Sequence, residues 1–242
     1  MLTHVADNLW FEEFDLMVPG GVHFRGRMTV LRLPDGTLWL HSPIPIDDAL
    51  AAELAALGEV AHIVAPNRLH HLHLPAAIAR YPSARVYAAP GLERKRKDIR
   101  FDEVLGERPP ASWGGAIEQV WIAGNRWISE VVFLHARSRT LIVTDLVFNI
   151  HEAKTWITPW VLRSTGAWQR LAQSRLWWFT TTDRAAAAES MGRVLAWDFD
   201  RLLMAHGEPV ESGARDALPP TLGRMLGGRA LPMTAAAPRL AT

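Results

Sequence analysis

The chain of 242 residues is long enough for one large domain or two small ones, and its 49% hydrophobic and 21% charged residues are typical of a folded protein. The net charge of +1 gives no electrostatic basis for nucleic-acid binding, because the one basic run, residues 94–97, is short and is followed by Asp98. No cysteine is present, so disulfides, thiolate metal ligands and cysteine nucleophiles are excluded.

The N-terminal part of the chain predicts β-structure. Residues 8–18 are predicted to form a first strand or strand pair, which a turn at residues 19–21 ends. Residues 27–33 alternate as a half-buried strand, and a turn at 34–36 leads into the returning strand 37–42. These two strands therefore predict a β-hairpin.

Helices and strands are then predicted to alternate. A helix over residues 49–57 is indicated by the aspartates before it and by the glycine that follows it. A buried strand at 60–65, a helix at 74–81 and a strand at 85–88 come next. This alternation is typical of an α/β fold.

The second half of the sequence begins with β-structure and is predominantly helical after residue 150. The predicted strands are residues 117–122, 130–135, 140–144 and 201–205, and the predicted helical regions are 150–176 (one or two pieces), 183–196 and 214–226. Asp183 is a suitable N-cap for the second of these helical regions. No repeat or linker interrupts the pattern, so we predict a single domain over residues 1–228 and a flexible tail over 229–242.

Eleven tryptophans are present, and five of them fall between residues 156 and 178. Packing in the core and between helices is their expected use, with a pocket wall or a homodimer face as the alternatives. The N-terminus lacks a signal-peptide pattern, and no apolar run approaches the roughly 20 residues of a membrane helix. The sequence thus predicts a cytoplasmic protein without membrane contact.

Side chains that can bind metals follow three apolar runs. They are the cluster around His70 and His71, Asp145 after residues 141–144, and His206 after residues 202–205. Strand ends are suited to chemistry, because a stiff sheet fixes the side chains while the loop beyond stays open to ligand. The sequence therefore predicts a metal site built across a sheet.

Residues 66–71, 138–146 and 204–209 resemble the metallo-β-lactamase superfamily, in particular an uncharacterised branch of it classed as a domain of unknown function. The resemblance implies an α/β (α+β) fold. Specifically, it implies an αββα sandwich of the metallo-hydrolase type with metals at one edge between the sheets.

The first family motif is His-x-His-x-Asp-His after a strand. His71 takes the place of its last histidine and His70 that of its aspartate, whereas Pro66 and Arg68 occupy the two earlier histidine positions. A later family histidine is replaced near Gly124-Asn125, so the ligands special to the first metal are missing.

The remaining family ligands are implied at Asp145, for the bridging aspartate, and at His206, for the last histidine. The implied ligands of a single metal are therefore His70, His71, Asp145 and His206, with Asp145 and His71 assigned to the chemistry. Such a set suits Zn²⁺, with Fe²⁺ or Mn²⁺ as alternatives. In another register His73 would replace His70.

Other polar residues near these positions have structural interpretations as well. Asn67 is expected to shape the turn before the histidines and His73 to pack, with a place in the pocket lining or behind the metal ligands as the alternative for both. Glu130 is expected at a solvated strand end, with a hydrogen bond to a site histidine as the alternative. His151 lies near Asp145 in the sequence and is a further candidate for the pocket lining, although histidine also has several structural roles.

Two functions follow as hypotheses. The first is a metal-dependent hydrolase of esters, lactones, thioesters or phosphodiesters in small molecules, with residues 156–178 walling an apolar pocket. The second is a metal-free relative that binds a ligand or partner, with His–Asp hydrogen bonds in place of the ion. Nucleotide-binding glycine loops and the serine-hydrolase elbow are absent from the sequence.

Overall fold

Two runs of strands form two β-sheets that pack face to face, with helices on both outer surfaces, in the computed structural model. The structure describes residues 1–18 and 20–227. The predicted tail, residues 229–242, lies outside the described residues together with its boundary at residue 228. The layers follow the order helix, sheet, sheet, helix, as the resemblance implied.

The first sheet has seven strands in sequence order. They are β1 (Thr3–Ala6), β2 (Leu9–Val18), β3 (Val22–Arg32), β4 (Leu38–His41), β5 (Val60–Ala65), β6 (Arg85–Ala88) and β7 (Glu103–Val104). Strands β1 to β4 pair antiparallel with their neighbours, whereas β4 to β7 pair in parallel. The carboxyl ends of β4 and β5 therefore lie at the same edge.

The second sheet has four strands in the order β11, β10, β9, β8. They are β8 (Ile117–Trp121), β9 (Val131–His135), β10 (Thr140–Val143) and β11 (Arg201–Met204). Strands β10 and β11 are parallel, with Val143 opposite Met204. The residues that follow these two strands consequently leave the sheet side by side.

Eight α-helices are described in residues 1–18 and 20–227. They are α1 (Asp48–Leu57), α2 (Leu74–Arg80), α3 (Leu92–Lys95), α4 (Ile157–Thr165), α5 (Arg175–Thr180), α6 (Arg184–Ala196), α7 (Ala214–Ala217) and α8 (Gly223–Leu226). Asp183 accepts hydrogen bonds from the amides of Ala185 and Ala186 and so caps α6, as predicted. None of these helices combines the length and the apolar character that crossing a bilayer requires.

Three of the four apolar clusters among the described residues follow the layers, and the fourth is a small one around Leu162. Between the sheets, Trp39 and Tyr87 of the first sheet pack with Trp113 and with Phe133 of the second. A second cluster joins the first sheet to α1 and α2, and a third joins the second sheet to α5, α6 and the C-terminal helices. Burial of apolar surface on both faces of both sheets stabilises the sandwich.

The helical predictions for residues 150–176 and 214–226 hold only in part. Helix α4 ends at Gly166 in the left-handed conformation, and residues between α4 and α5 form isolated bridges, Ile150 with Trp168 and Phe148 with Ala172. The last predicted helix is divided into α7, a 3₁₀ turn (Pro219–Leu222) and α8, because prolines lack the amide hydrogen that a continuous helix needs.

The β2–β3 hairpin is longer than the sequence pattern indicated. Strand β3 begins at Val22 rather than at residue 27, and it pairs with β2 along its whole length. Strand β4 pairs with β3 only over residues 29–32 of β3. Residues 22–28 consequently extend beyond the sheet as a two-stranded arm beside the carboxyl ends of β4 and β5.

Candidate metal centre

The structure brings three of the predicted ligands together, from three different strand ends. His70 lies in the loop after β5, Asp145 follows β10, and His206 follows β11. One ligand atom from each lies within 4.8 Å of the other two. We call His70, Asp145 and His206 the trio.

The distances within the trio are short. His70 Nε2 lies 3.3 Å from Asp145 Oδ2 and 3.2 Å from His206 Nε2. His206 Nε2 lies 3.6 Å from Asp145 Oδ1. Two imidazole nitrogens and both carboxylate oxygens therefore face one point between the sheets.

The ring of His206 has a defined proton position. Its Nδ1 lies 2.9 Å from the carbonyl oxygen of Arg25, which can only accept, so Nδ1 carries the hydrogen. In the neutral ring Nε2 then turns its lone pair toward the other two members of the trio. Phe148 stacks on the ring and Phe24 meets it edge-on, which fixes its plane.

Ser42 positions His70, and the sequence pattern did not indicate this role. Its Oγ lies 2.6 Å from His70 Nδ1, so Nε2 is directed at Asp145. Ser42 adopts a φ of 57°, a left-handed conformation that is rare for serine, immediately after β4. Backbone strain of this kind persists only where surrounding contacts enforce it, and it occurs often at functional sites.

Asn67 links His70 to Asp145. Its Oδ1 accepts hydrogen bonds of 2.8 Å from the amides of Leu69 and His70, which shapes the turn as predicted. Its Nδ2 donates to Asp145 Oδ2 at 2.8 Å and to Thr144 Oγ1 at 2.9 Å. One buried amide therefore fixes both the histidine loop and the carboxylate.

Glu130 is fully buried, so the expectation of a solvated strand end is wrong. Its carboxylate accepts hydrogen bonds from the backbone amides of Thr144, Asp145 and Leu146. Burial and the charge of Asp145 raise the pKa of Glu130 to about 7. Glu130 thus holds the backbone turn on which Asp145 lies, and among the described residues its hydrogen bonds go to this turn and to Asn67 rather than to a site histidine.

Trp177 contributes a further backbone contact to this turn. Its indole Nε1 donates a 2.5 Å hydrogen bond to the carbonyl oxygen of Asp145. Trp156 and Trp160, by contrast, are exposed at 81% and 68%. The tryptophan-rich segment therefore supports the aspartate turn but supplies no wall to the pocket, contrary to the hypothesis made from the sequence.

Electrostatics hold the trio in a defined protonation pattern. Burial alone would raise the pKa of Asp145, but His70, His206 and Asn67 outweigh it and lower the pKa to about 2. Burial and the charge of His70 lower the pKa of His206 to about 4. Burial lowers the pKa of His70 too, but the negative charge of Asp145 prevails and its pKa is raised.

His71 lies outside the trio, and we correct the implied four-residue ligand set accordingly. Its Nδ1 lies 2.7 Å from NH1 of Arg96, and that guanidinium is paired with Asp98. Burial, followed by the charges of Lys95 and Arg96, lowers the pKa of His71 to about 4. The guanidinium thus occupies Nδ1 of His71, and His71 contributes no ligand atom to the trio.

His73 and His151 do not join the trio either. His73 directly precedes α2 and meets Phe14 edge-on at a ring distance of 5.0 Å, which is the packing role expected for it. The ring of His151 lies 2.9 Å from Asn149 Oδ1 and lines a separate cavity with His23 and Arg25. The alternative register with His73 in place of His70 is therefore wrong.

The positions that the resemblance assigns to a first metal carry structural contacts instead. The carbonyl of Pro66 accepts the amide of Val131, and NH1 of Arg68 donates to the carbonyl of Arg126. Asn125 is fully buried and donates to the hydroxyls of two threonines. None of the three offers a metal ligand comparable to the histidines of the family motif.

A cavity of about 390 Å³ opens over the trio, which is within the usual range for small-molecule pockets. Its walls are the β2–β3 hairpin and the loop of residues 69–73. The apolar lining residues are Phe14, Leu16, Val18, Phe24, Pro43, Leu69 and Leu72. The trio forms the polar floor of a largely apolar pocket, whose other polar lining residues are Arg27, Ser42, His71 and His73.

The trio fits a divalent ion by the chemistry of its donors. Two imidazoles and a carboxylate are a common ligand set for Zn²⁺. The outer partners that orient metal ligands are also present, namely Ser42 on His70, the Arg25 carbonyl on His206 and Asn67 on Asp145. The ligands and their partners follow strands of both sheets, so the geometry of the trio depends on the packing of one sheet on the other.

Comparisons with known proteins agree with this architecture. A family model described as a domain of unknown function (DUF4336) matches residues 7–93, and no curated protein matches the sequence. The metallo-β-lactamase VMB-1 is 12% identical with a TM-score of 0.66, over 95% of this chain and 98% of that one.

Two further metallo-β-lactamase structures match over similar lengths. The protein from Hirschia baltica is 14% identical with a TM-score of 0.60, over 93% of this chain and 97% of that one. The mono-zinc form of FIM-1 from Pseudomonas aeruginosa is 11% identical with a TM-score of 0.60, over 94% and 92%. The chain therefore has the metallo-β-lactamase fold, which confirms the resemblance.

Proposed function

We propose that the protein is a hydrolase of small carbonyl esters that uses one divalent metal ion held by the trio. The observation that carries this proposal is the convergence of His70, Asp145 and His206 on one point, each oriented by a buried partner. Ligand sets of this kind need a supporting shell to hold their geometry, and this one has it.

A metal ion bound there would polarise the substrate carbonyl and lower the pKa of a water molecule near the floor of the pocket. Asp145, with a pKa of about 2, stays ionised at neutral pH and supplies the negative charge that such an ion requires. His206 presents the lone pair of Nε2, and the Ser42 hydroxyl keeps Nε2 of His70 pointed inward.

The identity of the ion follows from the donors. Zn²⁺ suits two imidazoles and one carboxylate, and Fe²⁺ or Mn²⁺ accept the same groups. The solved mono-zinc form of FIM-1 supports the proposal that this fold can hold a single zinc. Phosphodiesters fit less well, because Arg27, the one arginine or lysine among the described lining residues, is already paired with Glu13 and the carbonyl of Gly207 and adds no free charge to that of the ion.

A metal-free binding protein is the second candidate. The trio already forms direct polar contacts, His70 with Asp145 and with His206, and these satisfy the buried groups without an ion. The replacement of the first-metal ligands by Pro66, Arg68 and Asn125 also supports a metal-free protein. The two candidates differ in what a chelator does.

The test is a hydrolysis assay on neutral p-nitrophenyl esters with wild-type protein and with Asp145→Asn, after chelation and after Zn²⁺, Mn²⁺ or Fe²⁺ is added back. We expect wild-type activity to vanish on chelation and to return with one of the metals, and Asp145→Asn to stay inactive throughout. Activity that survives chelation, or that Asp145→Asn retains, would exclude the metal mechanism. No hydrolysis under any condition would favour the binding protein.

A further inference from the structure

We infer that the substrate carries an uncharged apolar acyl chain, and that this chain lies along the inner face of the β2–β3 hairpin above the trio. The inference rests on the function proposed above and names its substrate class. It is carried by the composition of one strand face and by the charge of the cavity.

The hairpin presents two chemically different faces. Side chains alternate along a strand, so Phe14, Leu16 and Val18 share one face of β2, and Phe24 extends it on β3 opposite Leu16. These four residues line the cavity over the trio. The residues between them, such as Asp15 and Arg25, point to the other side and form ion pairs there.

The inner face lacks a covering element within the described residues. Beyond Thr29 toward the hairpin turn, β3 has β2 as its only strand partner, and Phe14, Leu16, Val18 and Phe24 remain partly exposed. Phe14 and Phe24 also pack against neighbouring apolar clusters, and all four side chains line the cavity, as in a wall for an apolar ligand.

Gly26 keeps this wall flat. It lies directly opposite Phe14, and a Cβ at this position would overlap the Phe14 ring. The phenyl group can therefore lie across β3, which leaves the space above the trio open. Leu72, which is 66% exposed at the mouth on the side of the histidine loop, continues the apolar surface outward.

The charge of the wall above the trio disfavours an anionic group at the far end of the acyl chain. Among the described lining residues, Arg27 is the one arginine or lysine side chain, and it is 2% exposed. Its NH1 donates to the carbonyl of Met204, and its NH2 is shared between Glu13 and the carbonyl of Gly207. A carboxylate at the far end of the chain, held against the apolar wall and away from the trio, would find no arginine or lysine free to pair with it and would be strongly disfavoured.

The experiment separates binding from hydrolysis by using amides that the enzyme would hydrolyse far more slowly than esters. Acetamide, hexanamide, octanamide and the monoamide of octanedioic acid are titrated calorimetrically into chelator-treated protein. We expect affinity to rise about fourfold for each methylene that enters the cavity, and the terminal carboxylate to abolish the gain. Equal affinity for acetamide and octanamide, or tighter binding of the acid, would overturn the inference.

Two neighbouring positions on β2 provide the matched variants. Leu16→Asn removes an apolar group from the inner face, and Met17→Asn changes the 57% exposed residue next to it on the outer face. We expect Leu16→Asn to weaken octanamide binding about tenfold and Met17→Asn to change it less than twofold. Phe24→Ala serves as a second inner-face variant should Leu16→Asn fail to fold. Similar losses in inner-face and outer-face variants would contradict the assigned wall.

The ester assay then distinguishes this inference from the proposed function. Metal-dependent hydrolysis with kcat/KM that does not grow from acetate to octanoate esters would overturn the apolar chain and leave the hydrolase standing. Octanamide binding without hydrolysis of any ester would support the apolar site and overturn the hydrolase. Growth of kcat/KM with chain length, lost in Leu16→Asn, supports both.

Discussion

The two halves of the strand-end edge differ in what their polar residues do. In one half, His70, Asp145 and His206 point at a common centre and are oriented by buried partners. In the other half, Arg68 and Asn125 stand where the resemblance implies first-metal ligands, and both bond to nearby loops. The fold therefore does not need both ligand sets, since ordinary hydrogen bonds can replace one of them.

The largest expected effect is the loss of metal affinity when the trio is broken. His206→Ala removes a direct ligand, so we expect the Kd for Zn²⁺ to rise more than the roughly 100-fold that loss of an outer partner can cost. The Kd is measured by competition with a chromophoric chelator. His151→Ala is the matched control, because that histidine lies in the separate cavity with Asn149. An unchanged Kd in His206→Ala would mean that the ion binds elsewhere.

Substitutions in the other half of the edge, which contains Arg68 and Asn125, should change the stability of the fold and leave the metal affinity unchanged. Asn125→Ala removes the acceptor of the buried Ile128 amide and the donor to two threonine hydroxyls, so we expect the free energy of unfolding to fall by about 2 to 3 kcal/mol. Chemical denaturation measures this loss, while the Kd for Zn²⁺ should stay within about twofold. Arg126→Ala, at an exposed neighbouring side chain, should cost less than about 0.5 kcal/mol. A large change in Kd on Asn125→Ala would break the contrast.

Ser42 tests how far the supporting shell of the trio matters. Ser42→Ala removes the hydroxyl that orients His70, so we expect the Kd for Zn²⁺ to rise by about 10- to 100-fold. The Kd is measured by zinc competition titration. Ser112→Ala, at an exposed serine distant from Ser42 in the sequence, should leave the Kd for Zn²⁺ unchanged. A Kd equal to that of the wild type would show that His70 needs no such partner.

His41 offers a contrast with Ser42, read in stability against pH rather than in metal affinity. It directly precedes Ser42 but lies in the core, stacked on Trp39 and edge-on to Phe133, with no hydrogen-bond partner for its ring among the described residues. Burial lowers its pKa to about 3. The unfolded chain thus binds the proton more readily, so stability is lost as pH falls from about 6.5 toward 3.

For this group we expect the free energy of unfolding to decrease by up to about 1.4 kcal/mol per pH unit in that window. His41→Phe should remove that part of the slope, as measured by urea denaturation from pH 7 to 4. His4→Phe, at an exposed ring, should leave the slope as in the wild type. Parallel curves for His41→Phe and the wild type would show that His41 is accessible to protons in the folded state.

Much of the fold follows from local patterns in the sequence. Strand β5 at residues 60–65 and β6 at 85–88 agree with their predicted bounds, because continuous apolar runs between turn residues indicate buried strands. The N-cap of α6 was predicted from Asp183 alone. Strand-end placement also pointed to Asp145 and His206, since both follow apolar strands.

The rest of the site depends on contacts between distant residues, which local patterns do not encode. His70 and His71 are equivalent in sequence, and the Asn67 side chain and Arg96 decide which of them faces the centre. Glu130 was expected in solvent because its three amide donors lie 14 to 16 residues away. The two-stranded arm of β2 and β3 could not be predicted either, because it results from β4 pairing with only the last part of β3.

Elemental analysis of wild-type protein, purified without chelator and without a histidine tag, tests the central claim most directly. The trio predicts about one equivalent of a divalent transition metal per chain, or its uptake on addition of Zn²⁺. Less than about a tenth of an equivalent after Zn²⁺ addition, or two tightly bound ions per chain, would contradict a single metal held by His70, Asp145 and His206.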